Sequence, residues 1–417
     1  MDIIIGAGVT GLSYANFTKN DYLIIEKDSI PGGYCKTIFQ DGFTWDYSGH
    51  FFHFNDEKIK KYIFDNMDSD EILSIKKNTK IYLNNNYIDF PFQKNIHQLP
   101  KENFINALIE LYLISLNENN SSKNKNFKEM IIDNYGLEIC NSFLIPYNEK
   151  LYATDLNNLD SNAMGRFFPS TRFHDVLLNM KSTNNESYNN NFIYPTGGAY
   201  EYIKALLKNI PEEKILFNTT ITNIDLNKKE ILMSDGKKFN FNNLVSTIPL
   251  PSLLGLANIR YSQENFTSNK VKVFNLGFDR PSQNKEHWIY YPSKKLIFYR
   301  VGFYNNILNS NRMSLYVEIG DKSASPKEDE PEKLLDLVIN DLKKVGIISD
   351  QTCISWNYLE MNPAYVHINE KSEYEKNFHF KNLEKNNVYS IGRYGEWKYC
   401  SIEDNIKDAI LLAEKLS

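Results

Sequence analysis

The sequence predicts an α/β protein in which a dinucleotide-binding domain is interrupted by a mainly helical segment and by an antiparallel β-sheet. Three observations predict this. The opening residues read strand, glycine turn, helix, strand and glycine doublet. The middle of the chain changes character twice, from helical spacing to strand-like segments rich in Val, Phe and Tyr. The end, NVYSIGRYGEWKYCSIEDNIKDAILLAEKLS, returns to a strand, a loop and an amphipathic helix.

The opening is MDIIIGAGVTGLSYANFTKNDYLIIEKDSIPGG. Ile3–Ile5 form a short buried strand, and Gly6, Gly8 and Gly11 make the turn. Leu12–Phe17 start a helix, and Tyr22–Ile25 form a second strand that ends in Glu26. A helix that begins at such a turn aims its first amides at a pyrophosphate. Glu26, 20 positions after Gly6, is placed to accept the hydroxyls of an adenosine ribose. The doublet Gly32-Gly33 favours FAD over NAD, because the longer cofactor passes the second strand and needs close backbone approach there. The unit is therefore an FAD-binding Rossmann-like domain of the glutathione-reductase type. Its expected pieces are 1–55, 190–250 and 385–417.

The inserted segments are read from periodicity. Residues 56–189 are expected to be mainly helical, from EKIKKYIFDNM and PKENFINALIELYLISLN, with a hairpin at KIYLNNNYIDF between them. The Asn-rich stretch at 116–127 reads as a solvated linker. The second, at 181–192, directly precedes YPTGG and reads as a flap over a site. Residues 251–384 are expected to form the β-sheet domain around one helix, PEKLLDLVINDLKKV.

Composition narrows the function. The chain has 417 residues, 42% hydrophobic, and a net charge of −5 from 47 basic and 52 acidic residues. That balance argues against nucleic-acid binding, which calls for a basic excess. The 4 cysteines lack CxxC or metal-ligand spacing, so no metal site is expected. No apolar run approaches the roughly 20 residues that span a bilayer. With structure starting at Asp2 and free thiols, the expected compartment is a reducing, cytoplasmic one.

A flavin that starts at Gly6 has to reach the middle of the molecule, and FTWDYSGHFFHF is positioned to meet it. A histidine in apolar surroundings is most often a packed core residue. The preceding Gly49 and the proximity to the flavin make His50 a candidate nonetheless.

The motifs GAGVTGL, DYSGHFFHF, YIDFPFQKNIHQLP, LIPYNEKLYA, HWIYYPSKKLIFYR, NPAYVHI and GRYGEWKY occur in an order that resembles the UDP-galactopyranose mutases, closer to the eukaryotic type than to the common bacterial one. The resemblance runs over nearly the whole chain. It implies an FAD-dependent isomerase that interconverts the pyranose and furanose forms of a nucleoside-diphosphate sugar, with UDP-galactose as lead. Reduced flavin N5 would be the nucleophile at the anomeric carbon, with NAD(P)H or another reductant supplying the electrons. It implies that His50 sets flavin conformation and redox behaviour, while Arg300 and Arg393 clamp the substrate diphosphate. Tyr365 and Tyr399 would bind phosphate, and Trp288 and Tyr290 would lie beside the nucleotide and sugar. Gln93 would face the uracil, Asn148 and Tyr152 would lie on the nucleotide-binding helix, and Asn189 would reach the substrate from a flap. Phe90 stands where a tyrosine is expected near the uracil, and Tyr152 where a tryptophan is expected. Both departures lie at the base end and put uridine itself in question. The chain is also shorter than the eukaryotic-type proteins, which removes loops and with them oligomer contacts; whether it forms a homo-oligomer is left open by the sequence.

In the C-terminal stretch, Gly392 is expected to turn the backbone near the flavin. Asp404 and Asn405 open the last helix, whose N-terminus would meet the ribityl and pyrophosphate groups. The main alternative is a flavin-dependent amine or protoporphyrinogen-type oxidase, which shares the N-terminal motif. It would have less use for two converging arginines.

Overall fold

The structure is a computed structural model that describes residues 1–67, 72–116, 126–181, 190–325, 327 and 330–417. Its first strand, β1 (Asp2–Ile5), is buried along its whole length, as suits a central parallel strand covered on both faces. It pairs in parallel with β2 (Tyr22–Ile25) on one side and with Asn243–Ser246 on the other. Val388–Ser390 and Ile215–Leu216 complete a five-stranded sheet at its two edges. The dinucleotide-type sheet is thus assembled from beginning, middle and end of the chain.

The helix α1 (Val9–Phe17) connects β1 to β2 and packs on the last helix, Ile402–Leu416. It starts at Val9, earlier than Leu12, so Gly11 lies inside it rather than in the turn. A Cβ on Gly11 would stand 2.0 Å from the Gly6 carbonyl oxygen. Close helix–strand approach, not turn geometry, makes glycine necessary at this position.

The second large layer is a seven-stranded sheet. Its strand order is 353–361, 269–278, 314–322, 300–303, 288–290, 79–83 and 86–89. All its pairings are antiparallel except that of Trp288–Tyr290 with Thr79–Leu83. The hairpin at 79–89 falls inside the segment read as mainly helical, yet it forms the edge of this sheet. Its alternation buries Ile81 and Ile88 against the helices while its backbone completes the ladder. Sequence periodicity identified the hairpin but carried no information about which sheet would take it.

The helical unit contributes Glu57–Asp65, Lys101–Leu116, Phe127–Ile139, Ile145–Tyr152 and Phe173–Lys181. Cys140–Leu144 form a π-helical turn that leads into Ile145–Tyr152. Such turns often occur at functional sites because they re-aim the residues that follow. Here Phe143, Leu144, Tyr147, Asn148 and Leu151 come to line one face of a cavity. Ile72–Lys76 pairs with Asn191–Pro195, joining this unit to the interrupted domain. Among the described residues no helix is long and apolar enough to cross a membrane.

Candidate active site

A cavity of about 870 Å³ extends from the glycine turn after β1 to the aromatic face of the seven-stranded sheet. At one end it is lined by Gly6, Gly8, Glu26, Gly32 and Gly33. Gly6 has φ +100°, and a Cβ there would meet the Thr247 hydroxyl at 2.5 Å. Gly8 and Gly33 face each other so closely that a Cβ on Gly33 would be 3.6 Å from the Gly8 Cα. Gly8 is also the N-cap of α1, with no side-chain cap and no acidic residue in the first turn. The start of α1 lines the cavity between glycines that carry no side chain, which leaves room for a pyrophosphate at its first amides. The Glu26 carboxylate is fixed by the Ala7 amide at 2.7 Å and the Asp28 amide at 2.9 Å. Its remaining acceptor capacity suits a ribose diol.

The middle of the cavity is bounded by the loop Tyr47–Phe51. Ser48 has φ +151°, an uncommon backbone state for a residue with a side chain. Gly49 cannot carry one, since its Cβ would stand 2.6 Å from the Tyr316 hydroxyl. His50 follows, with Nδ1 3.3 Å from the Ser48 carbonyl. Burial, and next the charge of Arg393, push its pKa down from 6.5 to about 4. His50 is therefore neutral near pH 7 and presents an uncharged ring to the cavity.

The two arginines differ. The Arg393 amide donates to Asn405 Oδ1 at 2.8 Å. Its guanidinium donates to the carbonyls of Cys400 at 3.1 Å and Ala364 at 3.3 Å. It lies 4.7 Å from the Tyr399 ring centroid and 5.4 Å from that of Tyr365. No carboxylate pairs with it among the described residues. Arg300, by contrast, already has an ionic partner. Its Nε and Nη2 donate to the Glu318 carboxylate at 2.6 and 2.5 Å.

At the far end the cavity is lined by Phe90, Gln93, Asn148, Trp288, Tyr290, Tyr365 and Tyr399. The Trp288 indole donates to the Tyr290 hydroxyl at 2.8 Å, so the phenol's own hydrogen is free for another acceptor. Gln93 donates its amide to the Pro169 carbonyl. Asn148 donates to the Leu144 carbonyl at 2.7 Å, and its Oδ1 is buried without a partner among the described residues. An orphaned acceptor at a cavity wall is a natural contact for a ligand N–H. Tyr365 and Tyr399 stack with centroids 5.8 Å apart.

Several sequence candidates lie elsewhere. Tyr152 is buried behind the wall, edge-on to Tyr365 at 5.7 Å, and does not line the cavity. Its helix turns that side chain into the core. Asp404 does not line the cavity either. It closes the capping box of the last helix with Ser401 and takes both its oxygens to Arg166 Nη2 at 2.6 and 2.7 Å. Gly392, at φ +82°, clears space for Thr10, whose hydroxyl a Cβ would approach to 2.5 Å. Asn405 does line the cavity, and it ties Thr10 to Arg393. Asn189 lies outside the described residues.

Other lining residues were not anticipated, among them Phe51, Lys77, Tyr147, Tyr299 and Glu318. Phe51 stacks on Trp288 at 5.3 Å, and burial pushes the Lys77 ammonium down to about 8. Glu318 had a visible signal, an acidic residue inside the apolar strand SLYVEIG. A charge in such a strand is buried and has to be paired.

Comparison with known proteins assigns the family. Residues 12–399 match the flavin containing amine oxidoreductases. The chain belongs to this family. As a flavin containing amine oxidoreductase it takes FAD, and the glycine cradle, Glu26 and the uncapped α1 fit that group. In fold it resembles a reduced UDP-galactopyranose mutase, with TM-score 0.91 and 20% identity, over 100% of this chain and 93% of that one. It also resembles a putative protoporphyrinogen oxidase from Exiguobacterium sp. 255-15, with TM-score 0.78 and 14% identity, over 100% and 98% of the two chains. A cyclohexylamine oxidase from Brevibacterium oxydans gives TM-score 0.68 and 12% identity, over 100% and 99%. At these identities the flavin containing amine oxidoreductase shares fold with both mutase and oxidases.

Proposed function

We propose that the protein is an FAD-dependent isomerase that interconverts the pyranose and furanose forms of a nucleoside-diphosphate sugar, with UDP-galactose as the lead substrate. The observation that carries this reading is Arg393, a half-buried guanidinium with no carboxylate partner among the described residues, in the wall shared by the His50 loop and the tyrosines. A bare cation there suits an anionic leaving group and repels the protonated amine that an amine oxidase would bind.

The residues that would hold FAD are the glycine cradle and Glu26, and when bound and reduced it would supply a nucleophile for the anomeric carbon. The chain's residues position and stabilise. Arg393 holds the departing diphosphate where its charge grows and keeps it close for return. Tyr365, whose hydroxyl burial keeps protonated, donates to phosphate oxygen without adding charge. Tyr290, held as an acceptor by Trp288, turns its hydrogen toward the ligand. Neutral His50 adds no positive charge beside the flavin. The stacked rings of Phe51 and Trp288 help to exclude water.

The test is to incubate dithionite-reduced protein with a panel of nucleoside-diphosphate pyranoses and separate ring forms by chromatography. Conversion of at least one sugar only after reduction is expected. Peroxide formation with an amine, and no ring isomerisation, would give the oxidase reading its due.

A further inference from the structure

The helix Ile145–Tyr152 carries two residues of the cavity's far end, Tyr147 and Asn148. Across from it lies the hairpin of Trp288–Tyr290 and Arg300–Phe303, which brings Tyr290 and Tyr299 to the same end. The Tyr147 ring meets Tyr290 edge-on at 5.1 Å and Tyr299 at 6.1 Å. The connection between the two strands, 291–299, runs without helix or strand. Lys150, on the same helix as Tyr147, reaches into it. Its Nζ donates to the carbonyls of Tyr291 at 3.1 Å, Ser293 at 2.9 Å and Leu296 at 2.9 Å, and also to that of Phe298. An ammonium has three hydrogens, so two of these carbonyls share one.

The helix itself is fastened by other means. The Leu151 carbonyl accepts from Asn269 Nδ2 at 2.5 Å, and the Tyr152 carbonyl lies 2.9 Å from His367 Nε2. The Lys150 carbonyl sits so close to the large sheet that a Cβ on Gly320 would come within 2.0 Å of it. What the Lys150 side chain holds is therefore the hairpin, not its own helix.

We propose that Lys150 is a positioning residue for the substrate: by gripping the 291–299 connection it fixes the spacing between Tyr147 and Asn148 on the helix and Tyr290 and Tyr299 on the hairpin, the space that takes the nucleoside. The inference rests on the nucleoside-diphosphate sugar reading above. A ligand gains from such walls only while the gap fits it, since an excess of about 0.5–1 Å forfeits a quarter to a half of each dispersion contact. The nucleoside is remote from the reacting carbon, so its contacts act on ground state and transition state alike. Loosening them raises KM and leaves kcat.

The experiment titrates UDP and inorganic pyrophosphate into the oxidised, FAD-loaded protein by calorimetry. Burial draws the Lys150 pKa down to about 7 against the pull of Asp341, so the titrations are run near pH 6, where the ammonium is charged. Lys150→Met keeps the bulk of the side chain and removes its charge and donors. It should bind UDP about ten-fold more weakly, and pyrophosphate, which has no nucleoside, as the wild type does. In the sugar assay KM should rise about ten-fold while kcat stays within about two-fold. Unchanged UDP affinity in a loaded Lys150→Met protein, an equal loss of both ligands, or a fall in kcat without a rise in KM overturns the proposal.

Lys150→Ala leaves the four carbonyls around the space of the missing chain. Added propylammonium should restore UDP affinity there, whereas tetramethylammonium, which has no N–H, should not; equal restoration by both overturns the proposal. If Lys150→Met does not hold FAD, Lys150→Ala with propylammonium present is read in its place. Loss of FAD from that protein too would make Lys150 a folding residue and overturn the proposal. Failure of the wild type to bind UDP sinks the nucleotide-sugar reading and this inference with it. A wrong result in the variants, with wild-type binding intact, sinks only this inference.

Discussion

The two ends of the cavity are built by different means. The cofactor end comes mainly from one contiguous stretch, Gly6 to Gly33, in which Gly8, Gly11 and Gly33 answer to backbone close by and Gly6 to the Thr247 side chain. The substrate end is gathered from positions as far apart as Ser48, Tyr147, Trp288, Glu318 and Arg393, brought together by two sheets and a helix. One end depends on the absence of side chains, the other on their exact identity and charge. Damage to the first should cost the fold and the cofactor, whereas damage to the second should cost turnover while the holoprotein survives.

The largest effect is expected at Gly11. A Cβ there would stand 2.0 Å from the Gly6 carbonyl oxygen and 3.2 Å from the Ile4 side chain, and the closest atom is backbone that cannot swing away. Gly11→Ala should destabilise by about 3 kcal/mol or more and leave little bound FAD, as read from flavin absorbance and thermal unfolding. A fully loaded Gly11→Ala protein of normal stability would contradict the close-packing account.

Arg393→Ala probes the other end. FAD should remain bound, while turnover of the nucleotide sugar falls at least about a hundredfold, the usual cost of losing one preorganised donor. Near wild-type isomerisation in this variant would remove Arg393 from the chemistry. Glu26→Ala returns to the cofactor end with a smaller effect. It leaves the Ala7 and Asp28 amides without their acceptor, each worth about 1–3 kcal/mol if buried. FAD affinity should drop about ten-fold or more in a dialysis or fluorescence titration, and unchanged affinity would mean that the carboxylate is dispensable.

The smallest expected effect is on acid stability, and it spans both regions. Burial pushes His50, His53 and His287 down from 6.5 to about 4. Each is neutral in the fold but protonates near 6.5 when unfolded, so its contribution is present above 6.5 and lost as pH falls toward 4. Asp46 acts in the opposite sense, because burial raises it from 3.8 to about 6 and the folded state gains its proton first. Burial also lowers His367, and it raises Glu396 and Asp408 in the same sense as Asp46; four histidines against three carboxyls predict a small net fall in melting temperature of the holoprotein between pH 6.5 and 4. A flat or rising profile would contradict that balance.

The same division explains what could be read from residues alone. The βαβ unit was legible because its strands, turn and ribose carboxylate follow each other within one short stretch. The boundaries of α1 were less legible, since Gly11 looks like a turn residue until its distance to Gly6 is known. Arg393, Tyr365 and Tyr399 were named through motifs, and they do share one wall. Arg300 was named too, but its partner was not, because Glu318 is paired through strand register rather than through spacing. Tyr152 shows the reverse case: the motif placed it at the substrate, and the rotation of its helix buries it behind Tyr365.

Sequence by itself determined the α/β class, the interrupted cofactor domain, the glycine cradle and a minority of the aromatic residues that line the cavity. These follow from local periodicity, glycine spacing and motif content, which need no knowledge of distant contacts. Tertiary structure alone decided that the hairpin at 79–89 edges the large sheet, that Asp404 caps a helix and pairs with Arg166, and that the two arginines are unequal. The reason is physical. A strand's register decides which side chains meet across a sheet, and a shift of one residue would turn Glu318 away from Arg300.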